Sequence, residues 1–97
     1  MRTDTRLLGF ADYRDCARQL AGLAGLGYAE IDVHHFPDGE SRLLLPAQLP
    51  ERLVICQTLD RPNRKLVELM LAAAAAREQG AGCVVLVAPY LCYMRQD

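Results

Sequence analysis

"LVICQTLDRPNRKLVELMLAAAAAREQGAGCVVLVA", residues 53–88, joins two apolar patterns of different period. Residues 53–56 form a continuous apolar run, the kind that fills a central parallel strand covered on both faces. After Asp60 and Pro62 the period lengthens. Leu66, Leu69, Met70 and Ala73 recur at helical spacing, which predicts a helix over residues 63–79 with those four on one face. Its alanines would let it lie close against a sheet, and Gly80 is placed to close it. Residues 83–88 then return as another strand of the buried type. A strand, a helix and a second strand in this order make the crossover unit of a parallel sheet.

The segments upstream extend the same design. Residues 6–10, RLLGF, read as a first strand. Residues 11–26 follow with Ala17, Leu20, Ala21 and Ala24 at helical spacing, and Gly27 is placed to end that helix. In residues 28–36 apolar Tyr28, Ile31 and Val33 are interleaved with Glu30, Asp32 and His34, giving a strand with one wetter face. Phe36-Pro37-Asp38-Gly39-Glu40 is a turn: proline presets one dihedral, and Asp-Gly supplies the tight bend. Residues 42–45 resume as a short strand. The expected fold class is therefore α/β, a mainly parallel sheet flanked by helices, with an antiparallel hairpin at about residues 28–45.

In such sheets ligands collect beyond the carboxyl ends of the strands. The segment "CVVLVAPYLCYMRQD", residues 83–97, runs from an apolar strand into Arg95, Gln96 and Asp97 just past such an end. Arginine suits phosphate there, because its planar fork can pair with two oxygens at once.

Composition narrows the function classes. The chain has 97 residues, enough for one small domain, and a formal net charge of −1, which argues against a general binder of nucleic acid. Only the stretch Arg61-Pro62-Asn63-Arg64-Lys65 is locally basic, and it reads as a solvated first helical turn. The N-terminus lacks an apolar secretory core, and no apolar stretch reaches membrane-spanning length, so a cytoplasmic protein is expected. Cysteines stand at 16, 56, 83 and 92 without a C-x-x-C pair, and read as buried thiols rather than a disulfide framework or zinc site. His34 and His35 are adjacent on a strand and should face opposite ways, which keeps them from sharing one metal ion.

Three stretches, in order, resemble the N-terminal part of the ribose-phosphate pyrophosphokinase (phosphoribosyl pyrophosphate synthetase) family. They are "HHFPDGES", the helix start "PNRKLVEL", and "APYLCYMRQD". The resemblance implies a phosphoribosyltransferase-like N-terminal domain. It also implies transfer of a pyrophosphoryl group from ATP to the C1 hydroxyl of ribose 5-phosphate, with Mg2+ accompanying the ATP. Residue by residue, Arg95 and Gln96 match a pair that contacts ATP. Phe36, Asp38 and Glu40 match hairpin residues that hold the adenine end, reaching across from a neighbouring subunit, so a homo-oligomer with a shared ATP site is implied. A ring can stack on a base, and carboxylates can accept from its exocyclic amine. The family usually carries Gly at the position of Cys92 and a small residue at that of Met94. Its metal-binding His, basic catalytic loop and Asp-rich ribose-phosphate loop lie downstream of the matched segments. Residues 1–97 are accordingly expected to be a single partial domain, truncated, with no catalytic residue of its own and no activity alone. A non-catalytic nucleotide-binding or regulatory homologue is the alternative.

Overall fold

The first strand, β1 (Thr5–Phe10), lies at the centre of the sheet, and every residue from Leu7 to Phe10 is buried. The computed structural model describes residues 5–59 and 62–88, Pro62 by its backbone alone; the statements below concern those residues. A single 3-10 turn (Ala11–Tyr13) leads into α1 (Arg14–Ala24), followed by β2 (Gly27–His35) and β3 (Ser41–Leu44). Then come β4 (Arg52–Cys56), α2 (Pro62–Glu78) and β5 (Cys83–Val87). The five strands lie in the order β3-β2-β1-β4-β5. β1 pairs in parallel with both β2 and β4, and β4 with β5; β2 and β3 run antiparallel. The mainly parallel α/β sheet and the hairpin expected from the sequence are both present.

Neighbouring residues of a strand face opposite ways, so β1 feeds two cores. Leu8 and Phe10 pack with Ile31, Leu53, Ile55 and Leu69 beneath α2, whereas Leu7 packs with Cys56, Ala17 and Ala21 beneath α1. The helices therefore cover opposite faces of the sheet. On the α1 side the approach is very close. A Cβ built on Gly9 would stand 2.8 Å from the Tyr28 hydroxyl and 3.0 Å from the Ala17 Cβ.

β2 changes partner along its length. Residues 27–31 pair with β1, while Asp32 to His35 pair with β3, in the register Asp32↔Leu44 to His35↔Ser41. The hairpin consequently projects beyond the carboxyl end of β1.

Several details depart from the sequence expectation. The first helix is interrupted at its start: Tyr13 has φ −132° and ψ 26°, and the α-helix begins only at Arg14. It ends at Gly25 rather than Gly27, with Gly25 at φ 72°, a left-handed conformation that costs glycine little. The face of α2 is also rotated. Lys65, Glu68, Leu69, Ala72 and Ala76 are buried, while Met70 is 63% exposed and Leu66 is exposed as well. The small Ala72 and Ala76 lie on the sheet-facing side of the helix, and Met70 faces outward. β5 is an edge strand in which Cys83, Val85 and Leu86 are exposed; Cys83 and Val85 face the side of α1, which lies over β1 and β2 and stops short of β5. The expectation of buried thiols thus holds for Cys56 and fails for Cys16 and Cys83, which are exposed; Cys92 lies outside the described residues.

Candidate functional site

The parallel strands β1 and β4 end side by side, and polar side chains begin immediately beyond them. Gln57, the residue after β4, is fully buried. Its Nε2 donates to Asp12 Oδ1 at 3.0 Å, and its Oε1 accepts the Thr58 N–H at 2.9 Å. Both ends of a desolvated amide are thereby satisfied, which offsets the cost of burying it. Asp12 also gathers cations from α2, with Lys65 Nζ at 3.4 Å and an Arg64 nitrogen at 3.9 Å from Oδ2. Lys65 is 4% exposed, so its first-turn position is buried against the strand end rather than solvated. Arg64 Nε lies 3.8 Å from Glu68 Oε2, and the same oxygen meets His35 Nε2 at 2.8 Å. A polar cleft of about 210 Å³ opens here, with Asp12, Asp32, His35, Arg64 and Glu68 among its walls.

The hairpin rises beside this cleft. Its turn is closed by the Phe36 N–H donating to the Glu40 carbonyl (2.8 Å) and the Gly39 N–H to the Phe36 carbonyl (3.0 Å). Asp38 Oδ1 accepts the Glu40 N–H at 3.1 Å, and Gly39 takes φ 94°, which a β-carbon would strain. Phe36 is 38% exposed and meets the His34 ring edge-on, centroids 4.5 Å apart. Phe36 lines a hollow with His34, Arg42 and Leu44, whereas Glu40 lines a groove against α2 with Asn63, Arg64 and Val67. His34 and His35 thus diverge, one to a ring on the hairpin and one to a carboxylate on the helix.

A third cluster braces the outer side of β2. Arg14 grips Glu30 with two hydrogen bonds, Nε to Oε1 at 2.7 Å and an Nη to Oε2 at 2.6 Å. The Tyr28 hydroxyl donates to the same carboxylate at 3.0 Å. Arg14's hydrogen bonds hold the Glu30 carboxyl below its usual range, although burial pushes the other way and Tyr28 helps Arg14. Burial, followed by the bond to Glu30, pushes the Tyr28 phenol up to about 12. Tyr28 therefore belongs to the wetter face of β2 with Glu30, while Ala29, Ile31 and Val33 pack against the α2 core.

Of the residues singled out in the sequence, Phe36, Asp38 and Glu40 share one turn past the strand ends, with Phe36 and Glu40 lining different hollows. Arg95 and Gln96 lie outside the described residues. The sequence reading missed Asp12, Gln57 and Glu68. Gln57 carried a usable signal: a polar residue directly after an apolar parallel strand stands where ligands collect. Glu68 carried none, since a glutamate among helical leucines ordinarily faces water. Among the described residues no group of three or more His, Cys, Asp or Glu side chains could hold a metal ion. Asp12, the acid nearest the strand end, is already neighboured by Lys65 and Arg64. The described residues therefore offer no cluster that fits a resident Mg2+. No helix among the described residues is long and apolar enough to cross a membrane.

The fold is thus an α/β domain with a mainly parallel sheet and a cleft at the strand ends, the edge at which ligands collect in open α/β sheets. Comparison with known proteins makes the assignment specific. A profile of the N-terminal domain of ribose phosphate pyrophosphokinase matches residues 5–97, and the chain belongs to that family. It is 38% identical over 74 residues to a ribose-phosphate pyrophosphokinase of Thermococcus kodakarensis, covering 76% of this chain and 26% of that one. Against the Saccharolobus solfataricus ribose-phosphate pyrophosphokinase the identity is 36% over 80 residues, covering 80% and 28%. The Halobacterium salinarum ribose-phosphate pyrophosphokinase matches over 92 residues at 32%, covering 94% and 32%. The chain thus spans about a quarter to a third of the length of these relatives.

Proposed function

We propose that this chain is the ATP-binding portion of a cytoplasmic ribose-phosphate diphosphokinase, one that transfers pyrophosphate from ATP to ribose 5-phosphate and releases AMP. The observation that carries the reading is the change of partner in β2. It takes Phe36, Asp38 and Glu40 past the point where β1 and β4 stop, within a chain of this family. Phe36 offers an exposed ring face for adenine, and the Asp38 and Glu40 carboxylates offer acceptors for its amine. Arg95 and Gln96, which follow β5 in sequence, bind the phosphate side, where a guanidinium fork pairs with two oxygens. The hairpin completes the ATP site of a second copy, and ribose 5-phosphate is bound by parts of the protein beyond this partial domain. Mg2+ comes with ATP, held by the phosphates; when bound it neutralises their charge.

Calorimetric titration with MgATP tests this reading. Saturable binding is expected, weakened about 10- to 100-fold by Arg95→Ala, the worth of one charge-assisted contact. Mixed with ATP and ribose 5-phosphate, the chain alone should form no AMP. Absence of MgATP binding, or binding indifferent to Arg95→Ala, would overturn the proposal.

A further inference from the structure

α1 has three flanks that its contacts identify. Ala17 faces the sheet, its Cβ 3.0 Å from the place a Gly9 side chain would occupy. Arg14 and Arg18 lie on the β2 side: Arg14 holds Glu30, and the Arg18 guanidinium lies 5.8 Å from the centroid of the Tyr28 ring. Successive helical residues turn by about 100°, so Cys16 falls on the flank opposite Arg18. β1 lies between β2 and β4, and that flank therefore looks toward β4. The β4 residue level with Gly9 is Cys56, which is fully buried in the α1 core with Ala17. Tyr13, one turn before Ala17, packs against the same core. Both thiols are free.

From this placement we infer that Cys16 and Cys56 form a peroxide-responsive thiol pair, able to close a disulfide between α1 and β4 at the edge of the strand-end site. Glycine at position 9 lets the helix sit close, and closeness is what a disulfide demands: Cα atoms about 4.4–6.8 Å apart. A peroxide reaches the exposed Cys16 first. Its sulfur attacks one peroxide oxygen, the O–O bond breaks, and a sulfenic acid and one water are formed. The Cys56 sulfur then attacks the sulfenic sulfur. The S–S bond forms, the S–O bond breaks, and the hydroxyl leaves with the thiol proton as a second water. Two thiols are oxidised by two electrons while one peroxide is reduced. Burial pushes the Cys56 thiol up, so Cys56 acts as the resolving partner rather than the first target. Gln57 and the 3-10 turn bearing Asp12 adjoin the two cysteines in sequence, so the bond would fix both sides of the Asp12–Gln57 contact.

The test is titration of the folded chain with hydrogen peroxide, followed by intact mass and peptide mapping without reductant. The expected product is lighter by about 2 Da, joins the Cys16 peptide to the Cys56 peptide and reverts with dithiothreitol. Cys16→Ser, an exposed change, should abolish it, whereas Cys83→Ser and Cys92→Ser should leave it intact. Cys56→Ala provides the same check without burying a hydroxyl. The selectivity should disappear in urea, where the native placement is lost. Accumulation of sulfinic or sulfonic acid on Cys16, a Cys16–Cys16 link between copies, pairing with Cys83 or Cys92, or equal Cys16–Cys56 yield in urea would each overturn the inference.

Discussion

His35 Nε2 and Glu68 Oε2 stand 2.8 Å apart at the base of the hairpin, the imidazole half exposed on β2 and the carboxylate side chain 4% exposed on α2. This contact joins the two elements that shape the candidate site. Beyond Ile31 the only strand partner of β2 is β3, and two-stranded ribbons are marginal by themselves, so the contact adds to the packing of Val33 and Leu43 against the α2 core. Glu68 in turn is tolerated on the buried face of α2 because His35 and Arg64 meet it there.

His35→Ala should therefore destabilise the fold by about 1–3 kcal/mol, because it leaves a buried carboxylate whose other near partner, Arg64, is 3.8 Å away. The double variant His35→Ala/Glu68→Met should recover most of that loss, since an apolar replacement leaves no charge to satisfy. Urea unfolding reads both, as a shift in midpoint at constant slope. A double variant no more stable than His35→Ala alone would show that Glu68 is not the group being penalised.

Gly9 presents a separate test. Its backbone is ordinary strand, so the reason for glycine is proximity to Tyr28 and Ala17, not conformational freedom. Gly9→Ala should force α1 outward and cost about 1–3 kcal/mol, the usual price of overpacking. Pairing it with Ala17→Gly should relieve the Cβ–Cβ clash and restore part of the loss. Thermal unfolding of the single and double variants measures the coupling, and additive losses would sink the argument.

These two residues mark the limit of what could be read from the chain. The strand–helix–strand unit over residues 53–88 was legible because a short continuous apolar run and a 3.6-residue period are local properties. So was the turn at Asp38-Gly39, whose residue types answer a local backbone demand. The facing of α2 was not legible. Leu66 and Met70 are as apolar as Leu69, yet the sheet-facing side of the helix carries the small Ala72 and Ala76 and leaves them exposed. For the same reason Lys65 read as a solvated charge and Glu68 drew no notice, although each is buried against a partner from another element. Phe36, Asp38 and Glu40 became candidates through a family resemblance, whereas Asp12 and Gln57 meet only after folding has brought β1 and β4 side by side.

The Arg14–Glu30–Tyr28 cluster should give stability opposite slopes at the two ends of the pH scale. Glu30 is held below its usual range, so its contribution is present above the unfolded carboxyl value of about 4.3 and is lost as pH falls through the lower folded value. Tyr28 is pushed up from 10 to about 12, so the unfolded chain ionises first and stability drops as pH rises through that interval. Glu30→Gln should flatten the acid slope and Tyr28→Phe the alkaline one, both read from urea midpoints across pH. Unchanged slopes in either variant would assign the pH dependence to other groups.

Phe36→Ala separates a role in binding from a role in folding. The ring is 38% exposed and touches His34 edge-on, so its loss should change stability by less than about 1 kcal/mol. If the ring stacks on adenine as proposed, ATP affinity should fall roughly 5- to 150-fold, the worth of one base–aromatic stack. Magnesium triphosphate, which has no base, should bind Phe36→Ala and the unaltered chain alike, whereas Arg95→Ala should weaken both ligands. Calorimetry with the two ligands on the two variants therefore distinguishes the base end of the site from the phosphate end. Equal losses of ATP and triphosphate in Phe36→Ala would mean that the hairpin orders the phosphate site instead, and that adenine is held elsewhere.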